Sequence, residues 1–94
     1  MIKREDDIVK IAKALSDITR VRILKEIASK GSISCGDAER IAELSQPTVS
    51  HHLKILADAG LLNTLKNGRH ITITVNKITL KKFASFIGGF LRLK

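Results

Sequence analysis

The chain has 94 residues, a formal net charge of +8, 44% hydrophobic and 28% charged residues, and a single cysteine. That length fits one domain, residues 1–94, and leaves so small a core that a second copy can usefully add to it. No apolar run reaches the ~20 residues that cross a bilayer, Cys35 alone closes no intrachain disulfide, and the charged start MIKREDDIVK lacks the apolar centre of a signal peptide. A cytoplasmic protein with no membrane role is therefore expected.

Charge is unevenly spread. All nine acidic residues lie between Glu5 and Asp58, while the segment from Ala59 to Lys94 carries Lys66, Arg69, Lys77, Lys81, Lys82, Arg92 and Lys94 and no acid. A one-signed segment suits a polyanion such as nucleic acid or an anionic membrane surface, or serves solubility alone.

In chain order, residues 5–15 place Ile8, Ile11, Ala12 and Leu15 on one helical face, with acidic residues in the first turn to suit the helix dipole. Asp17 is a good N-cap for a second helix, ITRVRILKEIASK, in which Val21, Leu24, Ile27 and Ala28 recur at helical spacing and Gly31 ends the run. Ser34 can cap a short third helix, CGDAERIAE, with Asp37 at N3 completing an approximate capping box. Ser45 caps a fourth helix, 45–59, with Pro47 in its first turn, a buried stripe of Val49, Leu53 and Leu56, and Gly60 as its stop. Three or four residues between the third and fourth helices match a helix-turn-helix connection.

The stretch LLNTLKNGRHITITV reads as a hairpin, with Asn67-Gly68 suited to a type I′ turn and Ile71, Ile73 and Val75 alternating with threonines. The last segment, ITLKKFASFIGGFLRLK, returns to helical spacing. Leu80, Phe83, Ala84, Ile87, Phe90 and Leu91 share one side, and Phe86 and Leu93 widen the apolar arc to roughly half the circumference. An arc that broad points to a partner chain, or else to a helix well buried in its own monomer.

This pattern, mainly α with a small β-hairpin, describes a winged helix-turn-helix. The fourth helix is its candidate reading element, with Pro47, Ser50, His51 and Lys54 outward and Gln46 and Thr48 at its N-terminal end. Gln46 can pair with adenine in two hydrogen bonds, Thr48 and Ser50 can bond base edges or phosphates, and Pro47 can touch a thymine methyl. Lys66, Asn67 and Arg69 at the hairpin tip can reach phosphates or the minor groove. Adjacent histidines point about 100° apart on a helix, so His51 and His52 do not converge on a metal as an i, i+4 pair would. His51 faces outward, and His52 sits nearer the buried stripe. No phosphate loop, zinc-protease motif or nucleophile motif supports catalysis.

The segments ALSDITRVRIL, LSQPTVSHHLKILADAGLL and NGRHITITV resemble the ArsR-type winged-helix repressors of bacteria and archaea, over about residues 8 to 90. Ile18 stands where that family usually has proline. The resemblance implies the order helix, helix, short strand, helix, helix, two strands, helix. It implies a homodimer joined through the first and last helices, which assigns Ile8, Ile11, Leu80, Phe83, Ile87, Phe90 and Leu91 to the interface. It further implies repression at an inverted-repeat operator in double-stranded DNA and release by an effector that these residues do not name. Gln46, Thr48, Ser50 and His51 match the family's reading surface, and Arg69 its wing.

Metal-sensing members often carry Cys-x-Cys at the start of the third helix. Here SCGD puts Ser34 and Gly36 at the two ligand positions with Cys35 between them, and the last helix lacks His and Asp, so no metal or other cofactor is expected. Cys35 is either a thiolate switch near a helix N-terminus or a small neutral thiol. A protein-interaction module using the phenylalanine arc and a non-specific architectural DNA binder are the alternatives to a repressor; an enzyme is not expected.

Overall fold

The computed structural model describes residues 5–42 and 46–93, apart from the side chains at 35, 39, 41, 42 and 46. The elements run α1 (Glu5–Ala14), α2 (Ile18–Lys30), β1 (Ile33–Ser34), α3 (Cys35–Ala42), α4 (Gln46–Asp58), β2 (Leu62–Asn67), β3 (His70–Val75) and α5 (Lys77–Gly89), followed by a 3₁₀ turn over Phe90–Arg92. This is the winged helix-turn-helix order expected from the sequence.

Local chemistry sets the element ends. Asp17 accepts the Arg20 N–H at 3.1 Å and starts α2, and Gly31, at φ 90°, ends it by donating to the Ile27 carbonyl. The Ser34 hydroxyl accepts the Asp37 N–H at 3.1 Å while the Asp37 carboxylate accepts the Ser34 N–H at 3.0 Å. That is a reciprocal capping box with Asp in the place of Glu. Gly60, at φ 81°, lets the chain leave α4, and the Leu61 N–H closes back on the Leu56 carbonyl at 3.0 Å. Asn76 starts α5 by accepting the Thr79 N–H at 3.2 Å, and its own N–H docks on the Leu61 carbonyl at 2.8 Å. The expected Ser45 cap and the link between α3 and α4 lie outside the described residues.

Two helix faces differ from the sequence reading. In α1 the buried residues are Ile8, Ile11 and Ala14, while Ala12 is exposed. The buried arc centres on Ile11, and Ala12 points about 100° away from it. In α2 the core takes Ile23 and Ile27, with Leu24 on the flank, and leaves Val21 and Ala28 exposed. Ile23 with Ile27 and Leu24 with Ala28 both obey i, i+4 spacing, and packing against α3, α4 and β3 selects the pair of isoleucines. In α4 the expected stripe holds: Val49 and Leu56 are buried and Leu53 packs against them, joined by half-buried Ile55.

The sheet is antiparallel with strand order β1-β3-β2. Ile33 pairs with Ile73 and Leu62 with Val75, so the buried residues of all three strands meet the helices on one face. The hairpin register pairs Asn67 with His70, which makes Gly68 and Arg69 the two loop residues, one position later than Asn67-Gly68. Gly68 carries the positive φ (63°) that both primed turns require at their first loop position. Asn67 fits the last strand position without needing that conformation.

The described residues extend 49 × 25 × 23 Å. α5 is only partly docked. Its first half packs on the body through buried Thr79 and half-buried Leu80 and Phe83, and from Ala84 onward no described residue is buried.

Candidate nucleic-acid interface

Burying Val49 and Leu56 turns the opposite side of α4 outward. Pro47, Thr48, Ser50, His51 and Lys54 are all exposed there, as the helical spacing predicts. The Gln46 side chain lies outside the described residues, although its backbone begins the helix. The Lys54 ammonium is held by Asp58 one turn on, at 3.0 Å. An exposed i, i+4 pair of this kind is worth only a few tenths of a kcal/mol, so a phosphate can compete for it. The His51 and His52 rings sit 6.0 Å apart, tilted by 53°, with His51 exposed and His52 half-buried. Among the described residues no three His, Cys, Asp or Glu side chains gather as a metal site would need.

At the hairpin tip Lys66, Asn67, Arg69 and His70 are exposed, and neither Lys66 nor Arg69 has an ion pair among the described residues. His70 was not among the residues singled out from the sequence; its register opposite Asn67 puts it beside them. β2, which leads to this tip, packs on α4.

Arg20 is the residue that sequence reasoning passed over. Its Nε donates to the Ala14 carbonyl at 2.7 Å and its Nη2 to the Lys13 carbonyl at 3.2 Å, so it closes the C-terminal end of α1. Its Nη1 meets Nδ1 of His52 on α4 at 3.2 Å. A cation at a helix C-terminus also opposes the negative end of the dipole. Asp17 lies beside this group, and the Arg20 backbone N–H, followed by the Thr19 N–H and the charges of Arg20 and His52, holds its carboxyl below the ordinary value despite the opposing cost of desolvation. The sequence signal was the arginine three places after a capping aspartate, but its partners are 6, 7 and 32 residues away.

The residues expected at a dimer interface divide into three groups. Ile8 and Ile11 are 8% and 1% exposed, so their own chain already covers them and they have almost no surface to offer a partner; the exposed large apolar residue of α1 is Val9. Leu80 and Phe83 are half-buried against the core. Ile87, Phe90 and Leu91 are 45%, 58% and 89% exposed, and the Phe86 and Phe90 rings meet edge to face at 5.5 Å. Among the described residues the arc is thus half-buried at its Leu80–Phe83 end and exposed at its Ile87–Leu91 end. The Cys35 side chain lies outside the described residues.

Known proteins with this pattern are regulators. A helix-turn-helix domain family matches residues 15–64. The chain is 34% identical over 76 residues to the cadmium resistance transcriptional regulatory protein CadC homolog of Staphylococcus aureus, covering 81% of this chain and 63% of that one. It is 31% identical over 81 residues to the transcriptional repressor SdpR of Bacillus subtilis, covering 86% and 89%. Its fold matches the homodimeric winged helix-turn-helix DNA-binding domain of Mb0332 from Mycobacterium bovis, a possible ArsR-family transcriptional regulator, with a TM-score of 0.75 at 20% identity over 87% of this chain and 76% of that one. The chain belongs to the ArsR family of winged helix-turn-helix transcriptional regulators.

Proposed function

We propose that this chain is a dimeric, sequence-specific DNA-binding repressor that reads an inverted-repeat operator with α4 in the major groove. The observation that carries this reading is the outward face of α4. Pro47, Thr48, Ser50, His51 and Lys54 form a polar and basic surface directly opposite the buried Val49 and Leu56. A helix anchored this way can enter a groove about 12 Å wide without unpacking its own core. Gln46 at the first helical position supplies the adenine-reading group, and Lys66, Asn67 and Arg69 contact the adjacent backbone or minor groove.

The second copy is assigned to the exposed end of α5. Ile87, Phe90 and Leu91 form an apolar surface that water covers poorly, and covering it with the same surface of another chain is the two-fold solution that most homodimers use. Repression is supported by the likeness to SdpR, of which the chain covers 89%.

Selection of bound sequences from a random duplex pool at physiological salt tests this reading. An enriched inverted repeat is expected. Binding without enrichment would point to an architectural role resting on the +8 charge, and absence of binding to a protein-interaction module using α5. Within the enriched site, Gln46→Ala should relax the preference at one position per half-site. Arg69→Ala should weaken binding evenly across sequences and lower the salt slope by about 1.

A further inference from the structure

Arginine has five N–H donors, no acceptor, and a charge that does not titrate in proteins. When its Nη1 lies 3.2 Å from Nδ1 of a histidine, the only hydrogen bond available is Arg20 donating to a bare Nδ1. The neutral imidazole of His52 then carries its one proton on Nε2. Nε2 has no hydrogen-bond partner among the described residues, and no described side-chain nitrogen or oxygen is both buried and unpartnered, so Nε2 of half-buried His52 keeps some contact with solvent. His52 lies about 60° round α4 from Val49, on the flank between the buried stripe and the outward face. A helix about 10–12 Å across nearly fills a major groove about 12 Å wide, so its flanks face the phosphate walls.

We infer that Arg20 is a positioning residue for the DNA surface: it fixes the ring and the tautomer of His52 so that Nε2–H is presented to a backbone phosphate, and it ties α4 to the end of α1. This rests on the DNA-binding reading for the phosphate and on the geometry alone for the tautomer. The same guanidinium holds the Lys13 and Ala14 carbonyls, so the angle at which α4 meets DNA is referred to α1. Lysine does not substitute, because a single ammonium lacks the planar fork that reaches three acceptors on two elements. The donor presented is neutral, so it adds affinity without displacing a counterion, unlike a lysine or arginine on a phosphate.

Two measurements test this. The first is the imidazole ¹⁵N spectrum of the full chain at about pH 8.5, where histidines are ordinarily neutral. His52 is expected as a pure Nε2–H form, while exposed His51 and His70 average between tautomers. In Arg20→Lys, His52 should average as they do. A wild-type His52 that averages like His51, or that carries its proton on Nδ1, overturns the inference. The second uses His52→Asn, whose Oδ1 can still accept from Arg20 but which has no group at the Nε2 position. Its thermal midpoint should match wild type, and its affinity should fall about tenfold on the selected duplex and on an unrelated one, with the salt slope unchanged. Unchanged affinity, or a lowered salt slope, overturns the phosphate assignment. If neither protein binds any duplex while the tautomer is as expected, the DNA reading and the phosphate contact both fall, and the Arg20–His52 link stands.

Discussion

Leu56 on α4 and Ile87 on α5 sit on helices of equal length, 13 residues, each at the heart of an apolar stripe. Leu56 is fully buried, and Ile87 is 45% exposed. The difference lies in what each helix meets. α4 is covered by α2, α3, α1 and β2, so its stripe is used up and its other face is available to read. α5 docks its first half, through Asn76, Thr79, Leu80 and Phe83, and no described residue of its second half is buried. Apolar residues at the same helical spacing therefore serve folding in one helix and, on the proposed reading, assembly in the other.

The largest effects separate these two stripes. Leu56→Ala should cost about 2–5 kcal/mol of folding stability, read as a lower urea midpoint. The paired substitution Ile87→Asp with Phe90→Asp should leave the folding stability, extrapolated to low protein concentration, within about 1 kcal/mol of wild type. It should shift the mass in sedimentation from two chains to one. If the paired variant instead unfolds the single chain, or leaves the mass unchanged, the assignment of α5 to assembly is wrong. Next in size, Ser34→Ala removes the hydroxyl that caps α3 and should cost about 1 kcal/mol, with the mass unchanged because the box lies in the body.

The smallest expected effect is acid sensitivity. Asp37 is held below the ordinary carboxylate value of 3.8 chiefly by the Ser34 backbone N–H, then by the Ser34 hydroxyl and the Arg40 charge; Asp17 is held below it by N–H groups of α2. In both cases the folded state favours the charged form. The stabilisation is therefore complete above 3.8 and is lost as pH falls below it toward the depressed folded values. Stability followed between about pH 5 and pH 2.5 should fall less steeply in Asp37→Asn than in wild type; equal slopes would remove Asp37 from the account.

Features decided by neighbours in sequence were legible in it. The caps at Asp17 and Ser34–Asp37, the stops at Gly31 and Gly60, and the alternation of Ile71, Ile73 and Val75 each depend on residues at most five apart. The outward face of α4 followed because a single stripe, Val49-Leu53-Leu56, was available. Features decided by distant packing were not legible. α2 offered two overlapping stripes and only its neighbours chose Ile23 and Ile27. The burial of Ile8 and Ile11 in the single chain likewise depends on what packs on α1. The hairpin loop moved by one residue because strand pairing through Asn67 and His70 set its register. Arg20 was missed for the same reason: its role exists only when the end of α1 and one side of α4 come within reach of one guanidinium.

The central claim is that a two-fold covering of α5 sets two copies of α4 one helical turn apart on DNA. The most direct test is affinity for duplexes carrying the selected half-site twice, with the centre-to-centre spacing varied around about 10 bp in single steps. The account predicts one maximum, two chains bound per duplex, and a loss of at least tenfold when the spacing changes by about half a turn, or 5 bp. Equal affinity at every spacing, or one chain bound per duplex throughout, would contradict it.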